Sequence, residues 1–278
     1  MRGLIVGFGR AGQRHAKMLD ELGIKWHVTE PNKALIDRPF TVVFPDLEAA
    51  LTEGRVIHDL TFDFAVICTP PDLHLEQIKR CLDAGLPVLC EKPLCGLGQL
   101  EEAESLLAHP NAHKLMTAYN YRYLPSLTQA RGKPPKWMTC WQDRELPQWG
   151  LLLDHVSHDL DILRFLCGDI AIKSARYYPA GSFLHDGRRQ MWEIKVTVPG
   201  LPEWEEGVIR LRESVGSYEE RKAKLEYEDG TELDIEPNPV MFKEMWDSFL
   251  RGEYSPGLGE AIEIQRLLEE CWRMANES

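Results

Sequence analysis

Leu4-Ile5-Val6-Gly7-Phe8-Gly9-Arg10-Ala11-Gly12 is the stretch that decides the fold. A short apolar strand runs into Gly-x-Gly-x-x-Gly and then into an amphipathic segment carrying Met18, Leu19 and Leu22, so the glycines stand where strand turns into helix. The first glycine permits the tight turn, the second lets backbone approach a pyrophosphate, and the third lets helix and strand pack closely. Phosphate then meets the positive end of the helix.

Working outward, a second strand, Ile24 to Thr29, ends in Glu30, 18 residues past Gly12. That spacing suits an acid that binds both hydroxyls of a ribose. Glu30 would repel a 2′-phosphate and no arginine follows it directly, so the reading favours NAD over NADP. Glu30 is alternatively a solvated strand-end acid, and Lys33 can still assist a phosphate, which leaves NADP open.

Strand and helix keep alternating beyond this point. Thr41 to Phe44 is extended, Asp46 caps a short helix, and Phe64 to Cys68 is a buried strand ended by Thr69-Pro70-Pro71-Asp72. Asp72 is expected to cap a helix through Leu73, Leu75, Ile78 and Leu82 to Gly85. Strand Pro87 to Cys90 delivers Glu91-Lys92-Pro93, helix Leu97 to Leu107 follows, and strand Lys114 to Ala118 delivers Asn120. Six strands with crossover helices make residues 1–120 a Rossmann dinucleotide-binding domain, α/β in class. Thr69, Pro70 and Lys92 then sit at the carboxyl ends of parallel strands, the edge along which such a sheet binds its ligands. Lys92 is there either a reagent or a solvated turn lysine.

Residues 121–278 have a different texture, read as an α+β domain with a mostly antiparallel open sheet that serves substrate binding and oligomerisation. Arg131 to Pro135 breaks the chain before a strand from Trp137 to Trp141. Asp154 is expected to open a helix with the apolar stripe Val156, Leu160, Leu163 and Cys167, which stops at Gly168. Asp154 and His158, four apart, share another face, where a carboxylate can orient an imidazole that exchanges protons near neutrality. The plain alternative is an N-cap aspartate beside a surface histidine. His155 is expected to point away from both, so no metal site is assigned. Strands Ile172 to Tyr178, Met191 to Val198, Gly207 to Arg212, Ala223 to Tyr227 and Thr231 to Ile235 follow, with turns at Asp186-Gly187 and Asp229-Gly230. Two helices, Val240 to Leu250 and Glu260 to Met274, complete the pattern.

Composition narrows the function. The net charge of −12 offers no basic face to nucleic acid. No apolar run approaches the roughly 20 residues needed to cross a bilayer, and Met1-Arg2 leads directly into a strand, so a cytoplasmic protein is expected. Seven scattered cysteines without a Cys-x-x-Cys pair suit reduced, buried thiols. Seven of the eight tryptophans lie after residue 136, and the reading prefers a sheet face buried against another subunit over sugar stacking.

Gly7 to Gly12 with His15, Thr69-Pro70 with His74, Glu91-Lys92-Pro93 and Asn120-Tyr121-Arg122 resemble the oxidoreductase family of glucose-fructose oxidoreductase, inositol dehydrogenase and a rhizopine-catabolism protein. The resemblance covers nearly the whole first half. It implies that Gly7, Phe8, Gly9, Arg10, Ala11, Gly12, Glu30, Cys68, Thr69, Pro70, His74, Glu91, Lys92 and Asn120 hold the cofactor. It also implies that Lys92, Asp154 and His158 face the nicotinamide as the catalytic set, that the Lys92-Pro93 bond is cis, and that a dimer or tetramer covers the sheet. Relatives often carry several glycines before the aspartate, whereas here Gly150 is followed by three leucines, which bears on substrate shape.

The expected activity is hydride transfer between NAD(P) and a secondary alcohol or ketone of a sugar, sugar derivative or cyclitol. Lys92 would polarise the reacting oxygen, His158 would exchange the proton, and Asp154 would hold His158 or a neighbouring hydroxyl. Arg122 and Arg144 are weaker candidates for substrate contact. The alternatives are an NAD-dependent glycoside hydrolase of the same fold and a non-catalytic dinucleotide-binding regulator.

Overall fold

The computed structural model describes residues 1–32, 36, 41–57, 60–142, 146–179, 190–200, 208–215 and 222–277. Arg144 and Lys33, together with the Asp186-Gly187 turn, lie outside the described residues. The chain forms two compact units, Met1–Ala118 with Trp246–Ile262, and Tyr119–Met245 with Glu263–Ser278.

The first unit opens with β1 (Arg2–Val6), α1 (Arg10–Glu21), β2 (Lys25–Thr29), β3 (Val43–Phe44) and α2 (Leu47–Ile57). It continues with β4 (Phe64–Ile67), α3 (His74–Asp83), β5 (Val88–Cys90), α4 (Leu100–Ser105) and β6 (Leu115–Thr117). The six strands are all parallel, in the order β3-β2-β1-β4-β5-β6. Chain order reverses between β1 and β4, which opens a crevice at their carboxyl ends. Leu4, Ile5, Ala65, Val66, Ile67, Val88 and Leu89 are all fully buried, as expected of strands covered on both faces. Asp46 caps α2 as read, its Oδ1 accepting the Ala49 N–H at 2.8 Å.

Two expectations here are corrected. Asp72 does not cap a helix. It lies inside a 3₁₀ turn, Pro71–Leu73, and α3 follows with Leu73 at its N-cap and no side-chain cap. The carboxylate instead packs against Gly96, where an added Cβ would collide with Asp72 Oδ1. The helix read from Leu97 to Leu107 is shorter as well: α4 ends at Ser105 and tightens into a 3₁₀ turn, Leu106–Ala108.

The second unit holds α5 (Pro125–Ala130), β7 (Trp137–Gln142), α6 (Gln148–Leu151), α7 (Ser157–Cys167), β8 (Ala171–Tyr178), β9 (Met191–Thr197), β10 (Val208–Val215), β11 (Lys222–Glu226) and β12 (Glu232–Ile235). The strand order is β12-β11-β7-β10-β9-β8, and every pair is antiparallel except β7 with β10. Along β9 the buried Trp192, Ile194 and Val196 alternate with the half-buried Glu193 and the exposed Lys195, so one face carries the core. Two more helices, α8 (Pro239–Leu250) and α9 (Leu258–Glu277), complete the chain, and their residues Trp246–Ile262 cluster with the first unit. All seven cysteines are free thiols. Among the described residues no helix is long and apolar enough to cross a membrane.

Candidate functional site

The glycine loop is built for close approach. Gly7 has φ +88°, and an added Cβ there would press on the backbone of Cys68 at 3.1 Å. A Cβ on Gly12 would run into the Gly7 carbonyl oxygen, whereas one on Gly9 would meet nothing within 4 Å among the described residues. Gly7 and Gly12 therefore hold the turn together, while the space over Gly9 stays open for a ligand. Gly9 is the N-cap of α1 and supplies no side-chain cap, so the first N–H groups of the helix, at exposed Arg10 and half-buried Ala11, start it without one. These features suit the pyrophosphate of a dinucleotide.

Glu30 stands at the adjoining strand end. Its Oε2 accepts the Phe8 N–H at 2.9 Å and its Oε1 accepts the Asn32 N–H at 3.0 Å. An ionised carboxylate has about four lone-pair sites, so acceptor capacity remains for two ribose hydroxyls. Phe8 stacks on Trp26 with ring centroids 5.5 Å apart, which steadies the loop from its far side.

Opposite β1, the half-buried Cys68 and Thr69 and the exposed Pro70 line the end of β4. Burial pushes the Cys68 thiol well above its ordinary pKa, so it is a neutral wall rather than a nucleophile. Thr69 donates its hydroxyl to Gln77 Oε1 at 2.6 Å. His74 is 1% exposed, with Nε2 2.8 Å from the Thr69 carbonyl oxygen and Nδ1 3.0 Å from that of Pro93. Burial lowers its pKa. Its ring lies between the Thr69 turn and the Lys92-Pro93 turn, where the peptide bond is cis, and as a neutral imidazole it donates to one of the two carbonyls.

Glu91 is the hub of that second turn. Its Oε1 lies 2.6 Å from Arg14 Nη2 and 3.0 Å from His15 Nε2, and its Oε2 accepts the Lys92 N–H at 3.3 Å. Burial alone would raise its pKa, but the His15 hydrogen bond and the Arg14 guanidinium outweigh burial and hold it well below the usual carboxylate range. His15, Arg14 and Trp246 join this turn without having been assigned a function from the sequence. Lys92 itself is half-buried.

In the second unit the helix that carries Asp154 differs from its expected form. Helical chain begins at Gln148, and Asp154 falls within a π-helical turn, Leu152–Val156, between α6 and α7. Asp154 is thus not an N-cap. The wider turn also changes its neighbour: Oδ2 lies 3.4 Å from Nε2 of His155, the histidine expected to point away. His158 follows in α7, half-buried, its ring packed edge-on against Tyr121 at 4.9 Å and Tyr119 at 6.0 Å between centroids. The helix stops at Gly168, φ +80°, as read.

Arg122 sits in a buried ion pair. Its Nη2 is 2.6 Å from Asp161 Oδ1, and Asp161 is 1% exposed. Asn120, 7% exposed, keeps a buried Oδ1 with no hydrogen-bond partner among the described residues. That orphaned acceptor suits a ligand donor such as a carboxamide.

Comparison with known proteins gives these features a context. Residues 1–121 match the family described as "Oxidoreductase family, NAD-binding Rossmann fold". The rhizopine catabolism protein MocA of Rhizobium meliloti is 27% identical over 181 residues, 59% of this chain and 56% of that protein. The inositol 2-dehydrogenase of Rhizobium meliloti (strain 1021) is 27% identical over 189 residues, 59% of this chain and 54% of that protein. The match thus spans a little over half the length of each. Among solved structures, scyllo-inositol dehydrogenase of Lactobacillus casei with bound NAD(H) and scyllo-inositol superposes with a TM-score of 0.76 at 17% identity, covering 100% of this chain and 97% of that one. This last likeness is one of fold.

Proposed function

We propose that the chain, whose residues 1–121 match the oxidoreductase family with an NAD-binding Rossmann fold, oxidises or reduces a secondary alcohol or ketone of a polyhydroxylated small molecule, a cyclitol or sugar, with NAD. The observation that carries the reading is the open space over Gly9 beneath the uncapped start of α1, flanked by Glu30. Gly7 to Gly12 hold the pyrophosphate, Glu30 takes the adenosine ribose hydroxyls and disfavours a 2′-phosphate, and Asn120 contributes its unpaired Oδ1. The cofactor, when bound, supplies a nicotinamide C4 that gives or takes hydride. Lys92 Nζ donates a hydrogen bond to the reacting oxygen, His158 exchanges the hydroxyl proton at its ring nitrogen, and Asp154 holds a neighbouring hydroxyl. The relatives that are inositol dehydrogenases support the substrate class. The same reading carries a homodimer or homotetramer formed through the second unit's sheet, with sedimentation as its check.

Thermal melting with NAD and NADP, each alone and then with a panel of cyclitols and sugars, tests the proposal. A ligand that binds the folded state raises the melting temperature by mass action. The expected result is a larger shift with NAD, increased further by one class of polyol, and NADH formation with that polyol. No shift with either dinucleotide overturns it.

A further inference from the structure

The Glu91 hub is held from behind by a side chain that sits 231 residues from its partner in sequence. Trp246 Nε1 lies 3.1 Å from His15 Nδ1, and both residues are fully buried. An indole N–H can only donate. His15 Nδ1 must therefore present a lone pair, and the proton of the neutral ring is forced onto Nε2, which faces Glu91 Oε1 at 3.0 Å. A second proton on the ring would set Nδ1–H against the indole N–H, so the geometry excludes the imidazolium. Burial lowers the histidine's pKa in the same direction, against the opposing pull of Glu91. Trp246 is itself fixed edge-on by Phe64 at 5.7 Å and Phe249 at 5.8 Å, so the donor does not swing away.

The chain of contacts runs Trp246 to His15 to Glu91 to the Lys92 backbone. His15 lies on α1, the helix that the glycine loop opens, and Glu91 immediately precedes Lys92. We propose that His15, locked in its Nε2–H tautomer by Trp246, is a positioning residue that holds the Glu91 carboxylate and through it sets the place of Lys92 relative to the dinucleotide-binding helix. Among the described residues, Glu91 and Arg14 are charged groups that act on His15. Arg14, half exposed, neutralises the carboxylate, while His15 fixes its direction from the buried side. His15 and Trp246 are fully buried and act through Glu91.

The inference rests on the oxidoreductase reading, and the experiment separates the two. In His15→Leu both ring nitrogens are lost, in His15→Gln an N–H returns near the Nε2 place, and in Trp246→Phe the lock alone is removed. For a misplaced reactive group, kcat of His15→Leu is expected to fall about tenfold to a hundredfold. Its dinucleotide dissociation constant should stay within about threefold of the parent, since the phosphate loop is untouched. His15→Gln should recover most of the lost kcat, and Trp246→Phe should give kcat a new dependence on pH near neutrality as His15 becomes free to titrate. Ring ¹⁵N spectra of the parent protein supply a readout without turnover: one pyridine-type and one pyrrole-type nitrogen, constant through the neutral range. A folded His15→Leu with parental kcat overturns the assignment. So does equal loss of kcat and dinucleotide affinity without rescue by glutamine, and so does a His15 ring that titrates near its ordinary pKa. A parent protein with no dinucleotide-dependent melting shift overturns the oxidoreductase reading instead, and leaves the tautomer test standing.

Discussion

Glu30 Oε2 accepts the backbone N–H of Phe8 at 2.9 Å, so the acid that ends β2 is fastened to the loop that ends β1. The carboxylate thus braces the loop, and in the proposed cofactor site its remaining acceptors are the ones that would meet a ribose. Hydrogen bonds to a charged group contribute roughly 1.5–3 kcal/mol each. Glu30→Ala is expected to weaken NAD binding at least about tenfold by titration calorimetry, and to narrow its preference over NADP. Unchanged affinity and selectivity would remove Glu30 from the cofactor site.

The two glycines of the loop predict opposite phenotypes. Gly12→Ala drives a methyl into the Gly7 carbonyl and is expected to cost about 1–3 kcal/mol or more in urea unfolding. Gly9→Ala meets no atom of the described residues within 4 Å and sits at φ −67°, an ordinary conformation for alanine, so its unliganded stability should change by less than about 1 kcal/mol. Its methyl fills the space assigned to pyrophosphate, and the NAD-induced melting shift should disappear. A normal shift in Gly9→Ala would place the ligand elsewhere.

Acid should destabilise the protein in two stages. His15 and His74 have lowered folded pKa values, so below about 6.5 the unfolded chain gains protons that the native state refuses, and stability falls with pH. Glu91, held below the usual carboxylate range, adds stability that is present above about 4.3 and is lost as pH drops toward its folded value. Urea midpoints measured from neutral pH downward should show both stages, and His15→Gln should remove its share of the first. A midpoint that stays flat below pH ~6 would contradict the buried neutral state of these histidines.

The Arg122–Asp161 pair makes a stability prediction. Asp161→Leu strands a buried guanidinium and is expected to cost about 3–5 kcal/mol, while Arg122→Met with Asp161→Leu recovers most of that loss, because paired apolar replacements are often near neutral. A double-mutant cycle in urea measures the coupling. Additive losses would mean the pair does not act as a unit.

Much of the first unit was legible because its signals are local. A strand, three glycines and an acid at fixed spacing announce the β1-α1-β2 unit, and fully apolar runs mark β4 and β5. The second sheet was legible as alternating strands, but the parallel β7–β10 pair was not, because strands distant in sequence leave no turn to reveal their register. The π turn at Asp154 was missed for a different reason: helical spacing assumes 3.6 residues per turn, and nothing in Leu-Leu-Leu-Asp-His-Val signals a wider one. His15 was visible as part of a motif, yet its tautomer depends on Trp246, whose relation to it exists only in the folded chain.

The indole behind His15 also bears on how the protein is made. The apolar core of the nucleotide-binding unit includes Leu258, Ala261 and Ile262 as well as strands from the first 118 residues. On a ribosome, that unit lacks part of its core and the lock on His15 while the whole intervening segment, Tyr119–Met245, is being synthesised. The native core of this unit is therefore completed only once residues Trp246 to Ile262 have emerged, so the first 118 residues alone do not contain it.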